Sequence, residues 1–304
     1  MKVVCVIPAF NEEKTVGVVV KQAMKYCDLV IVVDDGSVDS TPLVAEKAGA
    51  MVSKNYANRG LGYSIKKAYA LALNAGADVV VQIDADGQYN CDEIPSLLQP
   101  IVDNVADLVL GSRFKGEIEE MPSGKVVGNL IGTIVTSFVS GFGCSDAQTG
   151  FRAMRRQLLE EISPQSKYTY VQEMIIRSSK EGFRIVEVPV SFAKRSHGNS
   201  RLISSLFAYA KRASIIVLQM VIDYHPLLFF SSIGLVFILL GLIVGGYLLW
   251  LFFVHGRIDR TPSVILTALL IITGLNMIFF GLLADRIKAL KKEIRDEIKW
   301  MKRN

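Results

Sequence analysis

Short β-branched runs alternate with longer helical stretches from the start of the chain to about residue 192. The runs cover residues 3–7, 29–33, 50–53, 78–83, 107–110 and 185–190. Most are continuous Val, Ile and Leu without polar alternation, as strands read when both faces are covered. Helical stretches fit at 12–26, 40–48, 61–74, 92–104 and 171–180. The alternation predicts a doubly wound, Rossmann-like α/β domain with a mostly parallel sheet flanked by helices. Such sheets bind ligands beyond the carboxyl ends of their strands. The turns at those ends, at 8–12, 34–37, 84–88 and 111–113, are acidic or carry glycine.

The pattern changes after residue 201. At 100° per residue, Ser204, Ser205, Lys211, Arg212, Gln219 and Asp223 share one narrow face of residues 202–224. Leu202, Leu206, Ala213, Val217, Met220 and Tyr224 lie opposite. This is an amphipathic helix suited to a membrane surface, with basic groups on its wet side. Residues 226–254 and 261–284 contain no charged side chain. At ~1.5 Å per residue each exceeds a hydrocarbon core of ~30 Å. Residues 255–260 join them, so a two-helix transmembrane hairpin is expected. The chain then divides into an α/β domain (1–201), an interface helix (202–224), the hairpin (225–285) and a basic tail helix (286–304).

Charge fixes the orientation. The tail after Ala284 carries eight Lys and Arg against four Asp and Glu, whereas the short connection offers only Arg257 and Arg260 as cations. Positive-inside bias places the α/β domain and both termini on the cytoplasmic side of a cell membrane. No secretory pattern precedes the first strand, which agrees with a cytosolic domain. Across 304 residues, 51% are hydrophobic and the net charge is +5. The apolar excess and the positive charge both concentrate towards the C-terminus, which favours contact with anionic lipid and argues against a nucleic-acid partner. Cys5, Cys27, Cys91 and Cys144 have no metal-site or redox spacing and read as reduced thiols. Ile287, Leu290, Ile294, Ile298 and Met301 recur at intervals of three and four. That pattern suits either a seam between subunits of a homo-oligomer or a helix lying along the membrane.

The most informative turn is Ile83-Asp84-Ala85-Asp86-Gly87-Gln88, at the end of an apolar run. Two carboxylates one residue apart repel unless a cation joins them. Mg²⁺ or Mn²⁺ takes such hard oxygens readily, and a diphosphate completes the shell. The turn Pro8-Ala9-Phe10-Asn11-Glu12-Glu13 ends the first run and opens a helix. A carboxylate there also complements a helix dipole. Val33-Asp34-Asp35-Gly36-Ser37 ends the second run and is equally an Asp-Gly turn.

These three turns, in this order, resemble the family 2 glycosyltransferases with a GT-A fold. Later segments narrow the likeness to the polyprenyl-phosphate glycosyltransferases, including dolichyl-phosphate mannose synthases. Those segments are Gly111-Ser112-Arg113, Met121-Pro122 with Lys125 and Asn129, Ser145-Asp146-Ala147-Gln148-Thr149-Gly150-Phe151-Arg152, and Arg195-Ser196-His197-Gly198-Asn199-Ser200-Arg201. The resemblance covers about residues 3–205. It implies that Pro8, Ala9, Phe10 and Glu12 line a nucleotide-sugar pocket, with Val33 and Asp35 near the base. Asp84, Ala85 and Asp86 would face the diphosphate, and Asp84, Asp86 and Gln88 would hold the metal. Arg113, Lys125 and Asn129 would meet the lipid phosphate, and Arg195 and Arg201 would close over the donor. The catalytic set is then Asp84, Asp86 and Arg113. Lys125 stands where an arginine is common and Arg201 where a lysine is usual, so charge is kept while fork geometry changes.

Elementary chemistry leads to the same layout. A phosphate monoester has a second pKa near ~6 and is largely dianionic at neutral pH. It needs no general base. It needs cations that bring two anions together, and Arg113, Lys125 and Arg152 are the candidates. Gln172-Glu173, at the place where related enzymes keep an acidic base, is therefore expected to be structural or to position substrate. In-line attack predicts inversion at the sugar carbon. Two rival readings exist. A processive polysaccharide synthase needs a Gln-x-x-Arg-Trp helix and more membrane helices, and neither is found in this sequence. A non-catalytic membrane scaffold with the same fold would have no use for the Asp84, Asp86 and Gln88 set.

Overall fold

The computed structural model describes residues 1–121, 123–162, 170–194, 218–219, 221–256 and 261–303. Its contacts divide the chain into two units, Met1–Ser214 and Ile215–Asn304.

The first unit is built on seven strands: β1 (Val3–Ala9), β2 (Leu29–Asp34), β3 (Met51–Lys54), β4 (Val79–Gln82), β5 (Leu108–Ser112), β6 (Arg152–Arg155) and β7 (Ile185–Pro189). Their order across the sheet is β3-β2-β1-β4-β6-β5-β7. All pair in parallel except β6, which runs antiparallel to both β4 and β5. The helices are α1 (Val16–Ala23), α2 (Thr41–Lys47), α3 (Leu61–Asn74), α4 (Ile94–Val102), α5 (Ser123–Ser140), α6 (Arg156–Glu161) and α7 (Tyr170–Lys180).

The unbroken apolar runs explain the layering. Along β1, Val3, Cys5, Ile7 and Ala9 enter one core, shared with Val16, Val20 and Leu97. Val4 and Val6 enter the other, with Ile65, Ala68 and Met174. Each fully buried Val or Ile contributes about 1.5–3 kcal/mol relative to exposure, so burial on both faces fixes the strand in the middle of the sheet. The chain leaves β1 towards β2 on one side and β4 on the other, which creates a topological switch point at their carboxyl ends.

The six expected strands are present, with ends shifted by at most two residues. Sequence periodicity missed β6, whose four residues begin and end on arginine. It also missed α5. The expected helix at 12–26 is shorter, because residues 10–15 form the turn that leads into α1. The helix expected at 92–104 splits into a 3-10 turn at Cys91–Glu93 and α4.

The thiols match the reduced reading. All four cysteines are free, and Cys5, Cys27 and Cys91 are buried. Burial is the main cause that lifts the Cys91 thiol to about 12, far from a reactive value.

In the second unit, α8 (Pro226–His255) and α9 (Thr261–Arg303) form an antiparallel pair. Both contain spans long and apolar enough to cross a membrane, with mean hydropathy of 2.8 and 2.3. Glycines let the two backbones meet. A Cβ on Gly234 would lie 2.6 Å from the Gly274 carbonyl oxygen, and one on Gly274 would lie 2.6 Å from that of Gly234. The tail is not a separate helix: α9 continues without a break to Arg303. Ile287, Leu290, Ile294 and Met301 are exposed on it. Of the expected interface helix 202–224, only 218–219 and 221–224 fall within the described residues, and they are helical.

Candidate active site

The turn after β4 places Asp84 and Asp86, both half-buried, at the switch point. Gly87 takes φ +74°, which sharpens the turn. Asp86 Oδ1 accepts from the Gln88 backbone N–H at 3.2 Å. Gln88 donates through Nε2 to the Ala193 carbonyl at 3.0 Å, and Ala193 N–H donates back to the Gln88 carbonyl at 2.8 Å. The acidic turn and the segment after β7 are therefore tied together.

Antiparallel β6 brings a second loop over that turn. Gln82 pairs with Arg152, and the same register carried on past the strand ends sets residue 84 opposite residue 150. A Cβ built on Gly150 would fall 2.4 Å from Asp84 Oδ2 and 2.8 Å from Oδ1. The Tyr89 hydroxyl oxygen accepts from Gly150 N–H at 3.1 Å and so holds the glycine in place.

Three buried phenols surround Asp84 electrostatically. Burial first, and then the Asp84 charge, pushes Tyr170 far up. Burial likewise raises Tyr69, where Arg152 opposes and Asp84 adds. Tyr89 is raised to about 12, again chiefly by burial. All three stay neutral at physiological pH. Tyr69 donates to Gln82 Oε1, and Gln82 Nε2 donates to the Tyr170 oxygen at 3.0 Å, so Gln82 links these two phenols.

Arg113 follows β5 and is nearly buried. Its Nε donates to Asp146 Oδ2 at 2.7 Å and its Nη2 to Oδ1 at 2.9 Å. The Phe192 ring lies 5.0 Å from its guanidinium carbon. Burial alone would lower its pKa; the facing Tyr89, Asp146 and Asp84 outweigh that and hold it above the ordinary guanidinium value. A fixed cation thus stands within electrostatic reach of the acidic turn.

Arg152 requires a correction. It was expected among the cations for an anionic substrate, but its side chain is completely buried. It donates to the carbonyls of Thr149 at 2.9 Å, Val171 at 3.0 Å and Ala147 at 3.5 Å. Its fork holds the 147–149 loop and the start of α7 to the sheet.

The first two turns are stitched to each other. Asn11 sits at φ 53°, and its Oδ1 accepts from Val38 N–H at 2.9 Å. Glu12 N–H donates to Thr41 Oγ1 at 2.8 Å. Pro8 and Ala9 end β1 in the sheet, whereas Phe10 and Glu12 are half-buried in the turn. Val33 is fully buried in the core on β2. Asp35 is a hub. Oδ1 accepts from Asn55 Nδ2 at 2.9 Å, Ser64 Oγ at 2.9 Å and Arg59 N–H at 3.0 Å, and Oδ2 accepts from Gly60 N–H at 2.8 Å. Ala85 is buried beside the acidic pair. Asn129 lies in the first half of α5, with Nδ2 3.7 Å from Met121 Sδ. Lys125 belongs to the first turn of the same helix. Arg195 and Arg201 lie outside the described residues. Glu173 pairs with Arg177 at 3.2 Å.

The donor set at the acidic turn suits a hard divalent cation. The turn offers two carboxylates, Asp84 and Asp86, and among the described residues no group of three or more His, Cys, Asp or Glu could hold a metal. Two carboxylates with the remaining oxygens taken from a substrate diphosphate is the usual arrangement for Mg²⁺.

The family model for glycosyl transferase family 2 matches residues 4–163. This chain belongs to that family. Within it, the UDP-N-acetylglucosamine–dolichyl-phosphate N-acetylglucosaminyltransferase of Methanococcus voltae is 31% identical over 242 residues, 71% of this chain and 95% of the relative. The polyprenol monophosphomannose synthase of Mycolicibacterium smegmatis is 32% identical over 214 residues, 66% of this chain and 80% of the relative. Among solved structures, glucosyl-3-phosphoglycerate synthase from Mycobacterium tuberculosis, in complex with Mn²⁺ and uridine-diphosphate-glucose, superimposes with a TM-score of 0.57. It is 23% identical, and the match covers 72% of this chain and 78% of that one. This family 2 glycosyltransferase therefore shares its GT-A architecture, with a mostly parallel sheet and flanking helices.

Sequence reasoning singled out the acidic turn and Arg113, and the fold brings Asp84 within electrostatic reach of Arg113. That reasoning missed Gly150 as the seat of Asp84, the three phenols, and Asp146 as the partner of Arg113. Asp146 and Gly150 lay within a motif already singled out, but only the antiparallel return of β6 says what they touch.

Proposed function

We propose that this glycosyltransferase moves one hexose from a nucleotide-sugar to the phosphate of a polyprenyl or dolichyl lipid. The observation that carries the reading is the pairing of an acidic turn, Asp84 and Asp86, with a clamped guanidinium, Arg113, beyond the carboxyl ends of β4 and β5. One pole suits a metal-bound diphosphate and the other an anionic acceptor. The names of the Methanococcus and Mycolicibacterium relatives point to lipid-phosphate acceptors. GDP-mannose is the first donor to try and UDP-glucose the second.

Asp84, Asp86 and Gln88 would hold Mg²⁺ or Mn²⁺, which would supply charge neutralisation for the departing nucleoside diphosphate. The chain's own residues do the rest. Pro8, Ala9, Phe10, Glu12, Val33 and Asp35 shape the nucleotide pocket, and Arg195 and Arg201 close over the donor. Arg113, Lys125 and Asn129 orient the acceptor phosphate. The acceptor is already dianionic, so no side chain need remove a proton. Attack from the face opposite the diphosphate inverts the anomeric centre.

The lipid reading also draws on α8 and α9, which would cross the bilayer with both ends on the cytoplasmic side. It draws further on α5, whose exposed face carries Val127, Leu130, Ile134 and Phe138. Purified protein incubated with a panel of nucleotide-sugars, Mg²⁺ or Mn²⁺, and a polyprenyl phosphate should yield a lipid-phosphate monosaccharide by mass. A sugar polymer on the lipid, or a product that retains the donor's anomeric configuration, would overturn the single-displacement reading.

A further inference from the structure

An arginine that must meet one anion while held by another has to be fixed from behind. Arg113 presents its Nε–Nη2 edge to Asp146, so the Nη1 edge is the one a second anion can approach. What holds Asp146 therefore sets the aim of that edge.

We infer that Glu187, on β7, is the positioning residue for Arg113 and acts through the 145–146 turn. The inference rests on the acceptor-phosphate reading of Arg113 given above. The Glu187 side chain is 2% exposed and the Asp146 side chain is fully buried. Glu187 Oε1 accepts from the backbone N–H of Ser145 at 2.7 Å and of Asp146 at 3.2 Å. Its Oε2 accepts from Ser145 Oγ at 2.9 Å and from Lys115 Nζ at 2.8 Å. A carboxylate offers about four acceptor positions, so these donors use them all. None is left for a substrate, which argues against a direct role for Glu187.

The network closes on the arginine. Ser145 Oγ lies 2.6 Å from Ser112 Oγ, next in sequence to Arg113. Asp146 Oδ2 also accepts from the Arg113 backbone N–H at 3.2 Å. Each carboxylate is matched by a cation, Glu187 by Lys115 and Asp146 by Arg113, and the 145–146 backbone joins the two pairs. In Glu187→Gln one oxygen remains for the two backbone N–H groups, but an NH2 replaces Oε2, so Lys115 is left unopposed, Ser145 Oγ loses its acceptor and the turn carrying Asp146 shifts.

The test is steady-state kinetics of full-length protein in detergent, with each substrate varied in turn. In Glu187→Gln the acceptor KM should rise about tenfold while the donor KM stays within about twofold, the size of effect seen when an outer hydrogen-bond partner is removed. Ser145→Ala removes only the neutral hydroxyl's hydrogen bonds in the same link, should raise the acceptor KM about threefold, and serves if Glu187→Gln does not fold. In an Arg113→Lys background, which keeps charge but loses the fork, adding Glu187→Gln should change little. Equal rises in both KM values, or an undiminished Glu187→Gln effect in the Arg113→Lys background, would overturn the inference. A wild-type protein that transfers nothing to polyprenyl phosphate would instead overturn the parent reading, and this inference with it.

Discussion

The carboxylate of Asp84 lies directly against the α-carbon of Gly150, so near that a methyl group on residue 150 would sit 2.9 Å from its Cγ. The two residues lie just past the paired ends of β4 and β6, which run antiparallel and meet at Gln82 and Arg152. Tyr89 fixes the glycine, and the glycine fixes where the carboxylate points. A helix-period or strand-period pattern carries no trace of this relation, because it depends on the one strand that runs against the others.

Gly150→Ala should therefore push Asp84 out of its seat without touching any charged group. Loss of such outer support typically costs about 10–100-fold in metal affinity or activity. The expected result is a rise of that order in the Mg²⁺ or Mn²⁺ concentration for half-maximal transfer. A metal titration of wild type and variant checks it; unchanged half-saturation would show that Asp84 keeps its position.

Arg113 and Arg152 look alike in sequence and should separate on mutation. Arg152→Met leaves three carbonyls without their donor, and buried groups left so cost about 1–3 kcal/mol each. The variant should be destabilised by several kcal/mol, with an unchanged acceptor KM for whatever fraction folds. Arg113→Lys should do the reverse, raising acceptor KM with a smaller effect on unfolding. Thermal unfolding and acceptor titrations on both variants decide between the roles.

The phenols predict behaviour in alkali. An unfolded tyrosine titrates near ~10, while Tyr89 in the fold is raised to about 12. A folded pKa above the unfolded one means stability is fully present below pH ~10 and is lost as pH climbs towards the folded value. For Tyr89 alone the loss across that window is about 2–3 kcal/mol, and Tyr69 and Tyr170 shift in the same direction. Urea unfolding between pH 9 and 11.5 should show this slope, and Tyr89→Phe should make it shallower. An identical slope in the variant would exclude Tyr89 as a contributor.

The layered sheet, the acidic turn and the membrane-type hairpin were legible in sequence because each rests on local pattern: unbroken apolar runs, Asp84-Ala85-Asp86, and long stretches without charge. The rest was not, because it rests on contacts distant in sequence. Arg152 reads as one more basic residue until β6 buries it. Asp35 reads as a turn residue until Asn55, Arg59, Gly60 and Ser64 converge on it. Helix α5 was missed for a different reason. Its buried side carries Asn129, Thr133, Thr136 and Ser140, while Val127, Leu130, Ile134 and Phe138 face outward. That is the reverse of a soluble amphipathic helix, so the usual search for an apolar face turned inward finds nothing.

This inverted helix yields the last prediction. An exposed apolar face of this kind has little reason to persist in water, and in a chain with two membrane-type helices lipid is the natural cover. Ile134 and Phe138 are 59% and 67% exposed, so charging them should not disturb the core. The double variant Ile134→Glu and Phe138→Glu gives up apolar contact that is worth about 0.8 kcal/mol per buried methylene. Transfer to a long-chain polyprenyl phosphate in vesicles should fall about tenfold, the equivalent of two such groups. Transfer to a short, water-soluble prenyl phosphate should hold within about twofold, since the chemistry at Asp84, Asp86 and Arg113 is untouched. Equal losses on both acceptors would mean that the charges damage the site through α5 and Asn129, and would remove lipid as the partner of this face.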